Sequence, residues 1–223
     1  MGSHCSVRGF KSADGFGENT YVLSERGGRD CIVIDPGDTA HEVIAYVRHE
    51  DIRVVLILAT HAHIDHVSSA PVLMESSGAR FLVNKADSGL LSEAAEQAVA
   101  FGYPFKGKIM ADGFFEEGRS FELGGLRIEV LHTPGHTPGS SCFLVGGDTL
   151  FTGDTLFAGS IGRTDFPGGS TLQMEKSLHR LATLPDRTVI LPGHEGSSTI
   201  GEEKETNPFL ISGRSGQSGE TFR

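Results

Sequence analysis

Between positions 61 and 66 the chain carries His61, His63, Asp65 and His66, four metal-ligating side chains in six residues. No other feature constrains the fold as strongly. They follow directly on Val54–Leu58, a continuous apolar, β-branched run that reads as a buried strand. Neutral imidazoles and a carboxylate are good ligands for zinc, iron or manganese. A compact loop leaving a strand can aim alternate side chains at two neighbouring points, His61 and His63 at one, Asp65 and His66 at the other. A polar loop whose histidines merely satisfy backbone groups is the competing reading, and it gives no reason for four such residues at this spacing. The fold must therefore end a buried strand at a polar site and bring further ligands to it.

Three later segments can supply them. Leu131-His132-Thr133-Pro134-Gly135-His136-Thr137, Phe151-Thr152-Gly153-Asp154-Thr155 and Leu191-Pro192-Gly193-His194-Glu195 each follow an apolar run, and each carries Gly or Pro where the backbone can turn. Loops at strand ends in one packed sandwich can converge on a single edge. The apolar runs predict strands at Tyr21–Leu23, Cys31–Ile34, Val54–Leu58, Phe81–Val83, Leu126–Leu131, Cys142–Val145 and Val189–Leu191. Thr39-x-x-Glu42 predicts a capping box before a helix whose Val43, Ile44 and Val47 share a face. Ser170-x-x-Gln173 does the same for a helix with Met174, Leu178 and Leu181 inward, and Leu90–Ala100 forms a third helix stopped by Gly102. Helices alternate with strands at both ends, whereas Phe114–Phe151 is nearly all strand and turn. Two mixed sheets face to face with helices outside satisfy both halves, as one candidate among α/β layouts.

The series H-x-H-x-D-H, G-H, G-D and G-H, in this order through most of the chain, resembles the metallo-β-lactamase superfamily. That resemblance implies an αββα four-layer sandwich. It implies a first metal held by His61, His63 and His136, a second by Asp65, His66 and His194, and Asp154 bridging them. The two divalent ions would be zinc first, with iron or manganese acceptable to the same ligands. The β-lactamases proper lack a bridging aspartate and many use a second-site cysteine, whereas Cys142 here lies in an apolar strand. Gly153–Phe157, Gly159–Asp165, and Gly193-His194 leading to Asn207–Leu210 are similar to the glyoxalase II and persulfide dioxygenase group. Only Glu195–Arg223 follows His194, too short for the glutathione-holding helical domain of typical glyoxalase II enzymes. The chain therefore resembles the short glyoxalase II-like hydrolases.

The activity so implied is hydrolysis of a small-molecule thioester, hydroxyacylglutathione-like, by a hydroxide shared between the two cations. Asp65 would act as a ligand and as the candidate for proton transfer. The alternative is a persulfide dioxygenase using one iron on His61, His136 and Asp154.

Around this centre the remaining residues have quieter roles. His132 is expected to be structural or to orient a ligand, and His41, His49 and His179 to lie on solvated helix faces. Asp35, in Ile34-Asp35-Pro36-Gly37, either orients a ligand histidine or forms a turn. Arg163 and Asp165 are expected to pair in support of their loop in preference to contacting substrate, and Phe101–Phe115 to be a surface loop with anchoring aromatics, the alternative being a lining of the substrate pocket. A formal charge of -10 disfavours nucleic acid. No apolar run reaches membrane-span length. Three cysteines without CxxC spacing argue against a disulfide framework or zinc finger and fit a reducing cytoplasm. Met1-Gly2-Ser3-His4 has neither the basic nor the apolar region of a signal peptide, and is expected to be an expression remnant. Residues 1–212 are expected to form one domain, and Gly213–Arg223, rich in Gly, Ser and charge, a loose tail.

Overall fold

The computed structural model describes residues 5–13 and 15–215. Alternation along the strands builds three cores and hence four layers. In the first sheet, β1 (Cys5–Lys11), β2 (Asn19–Glu25), β3 (Asp30–Ile34), β4 (Arg53–Leu58), β5 (Arg80–Asn84) and β6 (Gly113–Phe115) lie in chain order. Antiparallel pairing joins β1, β2 and β3, and parallel pairing runs from β3 through β6. The second sheet comprises β7 (Ser120–Leu123), β8 (Leu126–His132), β9 (Ser141–Val145), β10 (Thr149–Gly153), β11 (Val189–Pro192) and β12 (Ser198–Thr199), again in chain order. Only β10 and β11 are parallel in it.

In β3, Ile32 and Ile34 point between the sheets, where they meet Ile128, Val130, Phe143 and Phe151. Cys31 and Val33, one residue out of phase, face the first helical layer. That layer contains α1 (Ala40–His49), α2 (Ile64–Val67), α3 (Ala70–Ser77), α4 (Ser88–Ser92) and α5 (Ala94–Phe101). On the far face, α6 (Thr171–Leu181), α7 (Ile200–Thr206) and α8 (Pro208–Ser215) cover the second sheet. There Met174, Leu178 and Leu181 bury against Cys142, Leu150 and Ile190. This is the expected αββα sandwich, and Cys142 is core. Among the described residues no helix is long and apolar enough to cross a membrane.

All seven expected strands fall within observed ones. Five others among the described residues went unread: β1, β6, β7, β10 and β12. β1 is an edge strand that exposes most of its residues, so it has no apolar run to announce it. β7 turns into β8 through Gly124-Gly125, with Leu123 paired to Leu126. The Thr39 capping box does not form: the side chain makes no cap hydrogen bond, and its hydroxyl donates to Thr20 Oγ1 at 2.7 Å. A true capping box sits at Thr199 and Glu202, opening α7. The expected helix Leu90–Ala100 is divided at Glu93 into α4 and α5, and Gly102 ends it with φ 67°. The segment expected to be loose from Gly213 begins inside α8, and residues 216–223 lie outside the described residues.

What matters for chemistry is the sandwich edge at the C-terminal ends of β4, β8, β10 and β11. Backbone bonds across the sheets hold that edge together: Ser141 N donates to Thr60 O at 2.8 Å and Asn19 N to Gly193 O at 2.7 Å.

Candidate metal centre

Each of the four ligand-bearing segments leaves one of those strand ends. The first is not wholly a loop: after β4 it bends at Thr60 and His61 and reaches His63 at the N-cap position of α2, so Asp65 and His66 ride on a short helix. His61, His63, His66 and His136 are buried, Asp154 lies at the border of burial, and Asp65 and His194 keep part of their surface exposed.

All seven expected donors meet. His61, His63 and His136 form one group, Asp65, His66 and His194 another, and His61, His66 and Asp154 a third linking them. His63 Nδ1 is 2.8 Å from His136 Nε2, and His66 Nε2 is 3.3 Å from His194 Nε2. Asp65 Oδ2 lies 3.5 Å from His194 Nε2. Asp154 lies against both groups, Oδ1 at 3.4 Å from His66 Nε2 and Oδ2 at 3.4 Å from His136 Nε2 and 3.7 Å from His194 Nε2.

The donor set fits divalent cations. His61 Nε2 and Asp154 Oδ1 are buried and have no hydrogen-bond partner within the protein. Such orphans are costly unless something else satisfies them. Meanwhile the far nitrogens of the rings are tied down, as metal-binding histidines require. His136 Nδ1 faces the Arg163 carbonyl at 2.8 Å and His194 Nδ1 the Phe16 carbonyl at 3.2 Å. Because a carbonyl can only accept, each Nδ1 donates and each Nε2 turns a lone pair toward the centre. His61 Nδ1 is 3.2 Å from Thr60 Oγ1, whose hydrogen goes to Asp35 Oδ2 at 2.8 Å. Asp35 Oδ2 also lies 3.2 Å from His66 Nδ1, an ion-pair contact outside hydrogen-bond geometry.

Charge is arranged accordingly. Burial, reinforced by the other histidines, holds His61 well below the usual imidazole range. Burial and His136 lower His63 to about 3, against Asp65 and Asp154. Burial pulls His66 down too, yet Asp65, Asp154 and Asp35 carry it up to about 10. Burial works to raise Asp65, but His66 and His194 hold it below the ordinary carboxylate range.

Asp35 thus orients the motif instead of only forming a turn, and it does so with a left-handed backbone at φ 52°. His132 has the structural role expected, with Nε2 2.8 Å from the Pro138 carbonyl. Arg163 and Asp165 form a two-pronged pair at 2.9 and 2.8 Å, exposed at the rim. The two branch-like segments touch: Asn207 Nδ2 donates to the Ser160 carbonyl at 3.0 Å, and Glu203 accepts from Gly159 N at 2.8 Å. Phe101–Phe115 anchors through Tyr103, whose hydroxyl is 2.9 Å from Ser68 Oγ.

Sequence reading missed Asp87 altogether. Fully buried, it accepts from Ala62 N at 3.0 Å, Thr137 Oγ1 at 2.8 Å and Gly139 N at 2.6 Å. It thereby clamps the His61–His63 segment to the His136 segment. No local pattern announces such a residue. Asp87→Ala leaves three buried donors unpaired and is expected to cost about 2–4 kcal/mol. Denaturant melts of the two proteins check this, and a difference under about 1 kcal/mol would remove the clamp from the argument.

A family model described as the metallo-beta-lactamase superfamily matches residues 13–194. Hydroxyacylglutathione hydrolase GloC of Haemophilus influenzae is 39% identical over 188 residues, which is 82% of this chain and 89% of that protein. Among solved structures, the BLEG-1 B3 metallo-beta-lactamase superposes with a TM-score of 0.85 at 31% identity, covering 92% of this chain and 99% of its own. TTHA1623 in a di-iron-bound form superposes with a TM-score of 0.82 at 35% identity, covering 91% and 100%. With the family match enclosing all seven donors, the chain belongs to the metallo-β-lactamase superfamily of metal-dependent hydrolases.

Proposed function

We propose that the protein is a dinuclear thioesterase of glyoxalase II type, acting on a small-molecule thioester. One observation carries the two-metal part of the reading: Asp154 reaches both histidine groups, His136 on one side and His66 and His194 on the other. In this reading His61, His63 and His136 hold one ion, Asp65, His66 and His194 the other, and Asp154 serves both. A one-iron enzyme would use only His61, His136 and Asp154, and the two-metal reading employs the Asp65–His66–His194 group in addition. Thioester chemistry is supported by the likeness to GloC, a hydroxyacylglutathione hydrolase.

Divalent ions bound there supply a nucleophilic water near neutral pH and polarise the carbonyl. The chain's own residues do the rest. The His136 and His194 rings are oriented through the Arg163 and Phe16 carbonyls. Asp65 stays ionised between His66 and His194, which suits a ligand better than a base. A thiolate leaves without a proton, so no strong general acid is needed, and among the donors none is free to be one. Zinc is the metal proposed, and the di-iron form of TTHA1623 makes iron the first comparison.

Protein loaded separately with zinc, manganese and iron is to be assayed for thiol release from lactoylglutathione, oxygen uptake with glutathione persulfide, and β-lactam opening. Thiol release with zinc or manganese, independent of oxygen, is the expected result. Oxygen consumption confined to iron, with no thiol released from any thioester, would replace this reading with the persulfide dioxygenase. β-Lactam opening as the dominant activity would also overturn it.

A further inference from the structure

Phenylalanine side chains flank the donors on both sides. The Phe166 ring stands 5.5 Å from the His63 ring and 6.3 Å from that of His136, edge-on to both. Phe101, at the end of α5, continues the surface outward at 5.5 Å from Phe166 and is 40% exposed. Across the centre, Phe157 lies 5.9 Å from the His194 ring. Aromatic carbon left this open beside seven polar donors has neither been buried in a core nor replaced by polar residues. The guanidinium of Arg163 lies 4.0 Å from the Phe166 ring centroid, but Asp165 already engages it with two hydrogen bonds. Charge at this wall is therefore occupied within the protein, and apolar contact is what the wall offers.

We propose that Phe166 and Phe101 form the acyl-binding wall, and that the enzyme prefers thioesters of aromatic or extended apolar acids over those of very short acids. The inference rests on the thioesterase reading and names its substrate class. The acyl carbon must reach the donors, so the first atoms of its chain come within contact of the ring that flanks them. A thiol carrier needs only its sulfur there. An aromatic acyl group meeting Phe166 gains edge-to-face packing beyond area burial.

The test uses metal-loaded protein, wild type, Phe166→Ala and Phe166→Leu, with acetyl and phenylacetyl thioesters of one thiol, then phenylacetyl thioesters of several thiols. Wild type is expected to favour phenylacetyl over acetyl in kcat/KM by about tenfold or more, the size of discrimination a shaped apolar pocket gives. Phe166→Ala is expected to remove most of that ratio and Phe166→Leu to retain part of it. Calorimetry of phenylacetate and acetate on the same proteins reads the wall without turnover and should show the same loss of preference. Equal loss on both acyl groups, with the ratio unmoved, would reduce Phe166 to a structural support and overturn the proposal. So would a change confined to thiol preference. Should no thioester be cleaved at all, the thioesterase reading fails, and the calorimetric ratio alone decides whether the wall selects apolar acids.

Discussion

Asp154→Ala is expected to lower metal content from two equivalents to fewer than one and to reduce turnover by about a thousandfold or more. Metal ions in hydrolases supply several kcal/mol of transition-state stabilisation, and each 1.4 kcal/mol is a decade in rate. The expectation of a double loss comes from geometry. Asp154 Oδ1 faces His66 and Oδ2 faces His136, one member of each group, at 3.4 Å in both cases. His63→Ala touches one group only and should chiefly weaken the first ion. Asp154→Asn separates charge from shape: it keeps the volume and loses the anion, so it too should lose metal while remaining folded. Elemental analysis after dialysis against excess zinc checks all three. Two equivalents retained by Asp154→Ala would end the bridging assignment.

The contrast between what the sequence disclosed and what it hid follows from where the chemistry is written. The donors were legible because His61–His66 concentrates them and because His136, Asp154 and His194 each follow a strand and a glycine. The strands of the two inner faces were legible because Ile32, Ile34, Ile128 and Val130 alternate or run apolar. The supports of the centre were not. The His136 ring is set by the carbonyl of Arg163 and the His194 ring by that of Phe16, and a carbonyl has no residue type. Asp87 acts on Ala62 and Thr137, 25 and 50 residues distant, and only the folded chain joins them. Phe166 and Phe157 were not singled out because their partners are histidines elsewhere in the chain. Asp35 was ambiguous for a different reason: Asp-Pro-Gly forms turns unaided, and only its contacts to Thr60 and His66 reveal the second task. Thr39 misled because its hydroxyl is turned to a tertiary partner, Thr20, and makes no cap bond.

Gly193→Ala is the companion prediction, and it isolates packing from ligand chemistry because no donor is changed. Gly193 is joined to Gly153 by a 2.9 Å backbone bond and to Asn19 by one of 2.7 Å, so its position is fixed by both sheets. A Cβ built there would meet Asp154 Oδ1 and stand 2.6 Å from His66 Cε1, inside any real contact, with the Gly153 carbonyl carbon at 3.1 Å behind. Neither neighbour can yield freely: Asp154 faces both groups, and His66 is fully buried. The backbone torsion at Gly193 is not in the left-handed region, so the penalty is steric and not conformational. The methyl group must therefore displace the Asp154 carboxylate, or His66, or the His194 segment itself. A 1 Å misplacement of reacting groups can cost about a hundredfold, which sets the expected fall in kcat/KM. Weaker retention of the second ion should accompany it. Gly196→Ala, three residues along in the same segment, meets nothing within 4 Å and is the matched control. Circular dichroism should report folded protein for both variants, with metal content and turnover lost only for Gly193→Ala. Normal activity in Gly193→Ala would show that the centre has room the observed packing denies it.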